Sequence, residues 1–207
     1  MTRRVLVLYA HPSVERSEIN APLASDAATN EVCTLVDLYA EYPDYRVNVD
    51  REQERLRDHE VIIFLFPLFW YSTPALLKEW QDLVLEHGFA YGSGGDALKG
   101  KDFLCVCSAG GDEAAYHQGG MNNFELRALL RPLEQTANLC QMHYLPPFAL
   151  FGARTALDDG RLDVHRDQFK RLIAALAEDS LGEWRGSEAL LLELPSLQNQ
   201  SKGESEP

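Results

Sequence analysis

Three separated stretches of the chain carry residues whose types and spacing suit the grip of a flat, charged ligand. The first reads His11-Pro12-Ser13-Val14-Glu15-Arg16-Ser17-Glu18-Ile19-Asn20. It has neither the glycine fingerprint of a dinucleotide site nor that of a P-loop. It puts Ser17 at a helix N-cap, which leaves the N–H groups of Glu18, Ile19 and Asn20 free to hold a phosphate with help from the helix dipole. The Asn20 side chain adds a donor, and Pro22 removes a later N–H while sparing these three. Taken alone, the stretch reads more simply as an ordinary N-cap.

The second stretch reads Pro67-Leu68-Phe69-Trp70-Tyr71-Ser72-Thr73-Pro74. Three consecutive aromatics are wasteful for a plain connection, and they cannot all point inward. A flat apolar wall with free backbone N–H groups suits an isoalloxazine ring. Aromatics also concentrate at oligomer interfaces, and both readings hold if the site lies at a dimer interface. The third stretch reads Ser108-Ala109-Gly110-Gly111-Asp112-Glu113-Ala114-Ala115-Tyr116-His117. Paired glycines let a backbone approach a ligand closely. Their N–H groups can meet the pyrimidine side of a flavin, and Tyr116 and His117 are candidates for hydrogen bonding to a quinone oxygen. By itself this loop reads equally well as a flexible turn.

Alternating strands and helices bring these stretches together. Arg4 to Ala10 is a continuous apolar run, the mark of a strand buried on both faces of a parallel sheet. Helical pattern follows from Ser17 to Thr29, then a strand from Glu31 to Leu38. An irregular stretch, Tyr42 to Asn48, precedes a charged helix capped by Asp50. Glu60 to Phe66 is the third strand. Thr73 caps the next helix with Pro74 at its first position, and Gly88 ends it. The fourth strand is Asp102 to Ser108, and a helix from about Phe124 to Asn138 follows. Met142 to Phe151 is a fifth strand that Pro146-Pro147 interrupts or confines to an edge. The last helix is Arg161 to Ala177. This alternation predicts an α/β fold, flavodoxin-like, with a five-stranded parallel sheet of order 2-1-3-4-5 and helices on both faces. Ligands of such sheets sit beyond the carboxyl ends of the strands, at the switch point.

The 207 residues suit one domain of about 180 residues, 1–180, followed by an acidic tail, 181–207. Glu178 to Pro207 holds seven acids and two bases, and its polar end from Gln198 is expected to be disordered. The net charge of −13 argues against binding nucleic acid or adhering to anionic lipid. No apolar run is long enough to span a bilayer. Arg3-Arg4 precedes an apolar stretch too short for a signal peptide. Cys33, Cys105, Cys107 and Cys140 lack metal-ligand spacing and read as reduced thiols of a cytoplasmic protein, with Cys105 and Cys107 on one face of a strand.

The pattern His11-Pro12 with Ser17 and Asn20, then Pro67 to Tyr71, then Gly110-Gly111 with Tyr116 resembles the flavodoxin-like NAD(P)H:quinone oxidoreductases. Within them the chain is similar to the ancillary proteins of glutathione-regulated potassium-efflux systems. That likeness runs from about Val5 to Gly152 and includes Tyr42-Pro43-Asp44, Tyr71 to Trp80, His87-Gly88, Gly94-Gly95 and Pro146-Pro147-Phe148. It implies a homodimer with FMN (FAD is the other candidate flavin) that reduces quinones by two electrons from NADPH or NADH. It also implies docking to the cytoplasmic face of a potassium/proton antiporter at the inner membrane. By position, Ser17 to Asn20 would hold the FMN phosphate, Leu68 to Tyr71 and Ala109 to Asp112 the ring, and His11 would line the site. Two departures stand out. Ser108-Ala109 replaces a frequent Thr-Thr, and Gly119-Gly120 occupies the place of the histidine that larger quinone reductases pair with their tyrosine. A non-catalytic regulatory subunit of the antiporter and a one-electron carrier are the competing expectations.

Overall fold

The computed structural model describes residues 2–194. Its sheet contains β1 (Val5–Tyr9), β2 (Cys33–Asp37), β3 (Val61–Pro67), β4 (Asp102–Ser108), β5 (His143–Tyr144) and β6 (Phe148–Leu150). The order is β2-β1-β3-β4-β5, all parallel, and β6 pairs with β4 further along. The expected fifth strand is therefore one strand in two pieces. Pro146 and Pro147 sit between them, where neither can donate a ladder hydrogen bond.

Strict alternation divides the continuous apolar runs between two faces. Leu6, Leu8, Ile62, Phe64, Phe66 and Phe103 pack on one side, with Cys105 and Cys107 among them as the spacing predicted. Covering that side are α3 (Val49–Asp58), α4 (Ala75–Val84) and α6 (Arg131–Leu139). Val5, Val7, Val61, Ile63, Leu65, Leu104 and Val106 pack on the other side, beneath α1 (Asn20–Ala28) and α7 (Arg161–Ala177). In α4 the buried set Leu76, Leu77, Trp80 and Val84 recurs at helical spacing.

The helix starts differ from the sequence expectations. The chain makes a 3-10 turn at Val14–Arg16, and α1 begins only at Asn20 with Ile19 before it, so Ser17 is not its cap. Pro22 then falls in the first turn, where its missing N–H costs nothing. Asn48 rather than Asp50 caps α3, its side chain accepting from Arg51 N at 3.1 Å. Pro74 itself precedes α4, Thr73 makes no cap, and the helix ends at Val84, before Gly88. Asp37 caps a short helix absent from the sequence reading, α2 (Leu38–Glu41), by accepting from Tyr39 N and Ala40 N. The single helix expected from Phe124 breaks into α5 (Leu126–Leu129) and α6 at Leu130, two residues before Pro132.

The segment after α7 returns to the domain. Leu181 and Leu192 are buried with the second core, and Leu192 N donates to Pro147 O at 2.9 Å. The disorder expected from Gln198 onward lies outside the described residues.

Candidate functional site

Beyond the carboxyl ends of β1, β3 and β4 lies a cleft of about 600 Å³. The first loop supplies His11, Pro12, Ser13 and the run from Arg16 to Asn20; the second supplies Pro67, Leu68 and Phe69. Ser108, Gly110, Ala153 and Arg154 complete it. This is the switch-point position that the strand order dictates.

The first loop is pinned from below. The Tyr9 hydroxyl lies 2.8 Å from Ser17 Oγ, and Asn20 Nδ2 lies 3.1 Å from Ser108 Oγ, so the loops after β1 and β4 are joined. Ser17 N and Ala21 N are used, donating to Val14 O and Ser17 O. Among the described residues the N–H groups of Glu18, Ile19 and Asn20 between them have no acceptor. Asn20 is buried, and its Oδ1 is unpartnered. Arg16 and Arg154 border the same cleft, and neither has a carboxylate partner among the described residues. A turn of free donors whose cleft also carries two guanidinium groups without carboxylate partners has the chemistry that suits an anion of the phosphate type.

His11 is buried, and its Nδ1 accepts from Ser13 N at 3.1 Å, which leaves the proton on Nε2. Burial lowers its pKa, with the Ser13 contact opposing, so the ring is a neutral donor. Its edge meets Phe69, ring centroids 5.7 Å apart.

The three aromatics do not act together. Phe69 N donates to Ser72 O and Ser72 N to Phe69 O, closing a two-residue turn around Trp70 and Tyr71. Both have positive φ, 48° and 64°. That is the signature of a primed hairpin turn, which usually takes Asn-Gly. Trp70 is thereby thrown outward to 93% exposure and Tyr71 is exposed, leaving only Phe69 of the three on the cleft. Tyr71 OH donates to Asn122 Oδ1 at 3.3 Å, and exposed Met121 and Phe124 flank that contact in sequence.

In the third loop Ser108 and Gly110 reach the cleft, whereas Ala109 is buried with its N–H donating to Leu150 O. Gly111 is set by Tyr116: an added Cβ would lie 3.3 Å from its ring. Gly111, Asp112, Tyr116 and His117 do not border the cleft. Tyr116 leans on Phe151 at 5.2 Å, and its hydroxyl pKa is raised, by burial first and then by Tyr71. His117 is exposed, its Nδ1 2.8 Å from Gln118 O. Sequence reasoning missed Arg16, Ala153 and Arg154 as lining residues. For Arg154 a signal existed, since it follows the last strand at the same end of the sheet.

Known proteins resemble the chain throughout this region. It is 48% identical over 153 residues to the glutathione-regulated potassium-efflux system ancillary protein KefG of Cronobacter sakazakii, covering 74% of this chain and 83% of that one. The FMN complex of general stress protein 14 from Treponema denticola superposes with a TM-score of 0.79 at 32% identity, covering 84% and 99%. An NADPH-quinone reductase from P. pentosaceus gives 0.74 at 32% identity, covering 82% and 97%. The family model of flavodoxin-like fold, Flavodoxin_2, matches residues 3–173, and the chain belongs to that family.

Proposed function

We propose that the chain binds FMN in the cleft and is an NAD(P)H-dependent reductase of quinones, working as a homodimer. The observation that carries this reading is the turn at Glu18, Ile19 and Asn20, cleft-lining residues whose N–H groups have no acceptor, with Arg16 and Arg154 lining the same cleft. Phosphate is the group these residues fit. The Asn20 amide fits it too. Turned over, its Oδ1 accepts from the Ser108 hydroxyl and its Nδ2 becomes a further donor, which removes the orphaned acceptor.

Held by these residues, FMN would supply two-electron redox chemistry between NADPH or NADH and a quinone. The protein's part is to hold and orient. Ser17 fixes the turn through Tyr9; Pro67, Leu68 and Phe69 form the apolar wall; Gly110 leaves the backbone open to close approach, with nothing within 4 Å of an added Cβ. His11 offers a neutral Nε2 proton. Tyr116, kept protonated by its raised pKa, is the donor we assign to a quinone oxygen, with His117 next to it. Trp70, Tyr71, Met121 and Phe124 are four exposed apolar side chains on the two loops that Tyr71 and Asn122 join, and a second copy of the chain is the occupant we assign to them.

The 48% identity to a potassium-efflux ancillary protein supports a second role, activation of an antiporter from the cytoplasmic side of the inner membrane. Among the described residues no helix is long and apolar enough to cross a membrane. The deciding experiment is an absorption spectrum of the protein with FMN and with FAD, followed by anaerobic NADPH or NADH and then a soluble quinone. Bleaching by the nicotinamide and recovery with the quinone are expected. Failure to bind either flavin would leave the regulatory role alone.

A further inference from the structure

The family match ends at residue 173, yet the following chain is tied to the domain at four places. Arg185 makes two bonds of 2.8 Å to Asp102, the buried first residue of β4. Arg127, buried and paired with Glu134 at 2.8 Å, donates to Ser187 O at 2.7 Å and Ala189 O at 2.6 Å. Leu192 N bonds Pro147 O. Between these last two ties, Leu190 and Leu191 close a small cavity of about 50 Å³ against Tyr116, Leu126 and Phe151.

The loop that carries Tyr116 needs such a support. From Asp112 to Phe124 every backbone–backbone hydrogen bond among the described residues is internal to the loop. Its links to the rest of the domain include the Tyr116–Phe151 ring contact, the bond from Tyr71 to Asn122, the approach of Asp112 to Gly152, and the cavity shared with the two leucines. Internal bonds fix the shape of a loop; only external contacts fix its position.

We infer that residues 181–194 are a strap that positions the Tyr116 loop, which follows the cleft residue Gly110, with Leu191 as the positioning residue. For its effect on turnover this inference rests on the proposed quinone reductase function. Arg185 and Arg127 hold the strap to the domain, and Leu191 lines the same small cavity as Tyr116. Nothing in this arrangement touches the turn from Glu18 to Asn20, so cofactor affinity and loop position are separable.

The test is the full-length double variant Leu190→Ser/Leu191→Ser beside the milder Leu191→Ala and the conservative Leu191→Met. The first readout is amide hydrogen exchange, which needs no cofactor. Exchange across 112–124 should rise about tenfold in the serine variant, with the amides of β1 and β3 unchanged and with near-normal protection restored in Leu191→Met. The second is steady-state kinetics with a soluble quinone. Its KM should rise about threefold or more while the KM for NADPH and the FMN affinity stay within about twofold. If the serine variant does not fold, Leu191→Ala carries the same comparison. Unchanged exchange across 112–124 in a folded variant overturns the strap, and raised exchange with an unchanged quinone KM overturns its role in positioning. A wild-type chain that takes up no flavin would refute the reductase reading instead, while the exchange result still decides whether the strap holds the loop.

Discussion

Replacing His165 by Phe should flatten the loss of stability on mild acidification. His165 is buried in α7, its ring stacked on Phe148 at 4.3 Å and 10°, and its Nε2 has no partner among the described residues. Burial alone lowers its pKa from 6.5 to about 4. Between those values the unfolded chain binds a proton that the folded chain refuses. Stability therefore rises with pH across this window and is lost as pH falls through it. At roughly 1.4 kcal/mol per pKa unit the whole window is worth about 3 kcal/mol, of which about 2 kcal/mol is gone by about pH 5. His11 and His59 are also lowered by burial and act in the same sense, so the wild type alone does not isolate the effect. The difference between wild type and His165→Phe does. Urea unfolding at about pH 7 and about pH 5 should show the variant losing about 2 kcal/mol less than the wild type. Equal losses in the two proteins would refute the reasoning.

Removing the guanidinium in Arg154→Ala should weaken FMN binding about tenfold, as loss of one charge-assisted contact predicts, and a flavin-fluorescence titration at two salt concentrations checks it. Arg16→Ala should behave alike, and the two together should abolish the salt dependence of binding. Exchanging Trp70-Tyr71 for Asn-Gly should stabilise the isolated chain by about 2 kcal/mol, since bulky residues give up roughly 1–2 kcal/mol each in the left-handed region; chemical denaturation reads this, and sedimentation should show a weakened dimer. Trp70→Ala should lower quinone turnover with little effect on the thermal midpoint, and unchanged kinetics would remove Trp70 from any site.

Much of the fold was legible because hydrophobic period alone specifies it. Short, Val- and Ile-rich runs such as Val61 to Phe66 fit a strand covered on both faces, and Pro146-Pro147 announced the split of the last one. Strand order then located the cleft. What escaped was local geometry. Ser17 looks like a cap, but a 3-10 turn at Val14–Arg16 consumes the residues before it and delays the helix to Asn20. Trp70-Tyr71 does not look like a primed turn, because that turn ordinarily advertises itself with Asn or Gly. Leu190-Leu191-Leu192 stood in plain view inside a segment whose acidic residues suggested a tail, and net charge outweighed three consecutive apolar residues that had a surface to bury against.

The strap has a further consequence at the margin of the sheet. The pieces β5 and β6 form one border, and open borders recruit the strands of other molecules. Two prolines and the passing chain at Leu192 blunt this one. A protease that clipped the chain near Gly186 would leave the turn from Glu18 to Asn20 untouched and uncover that border. The expected product is a molecule that stacks on its own kind, and its loss would be read in solubility over time rather than in instantaneous stability.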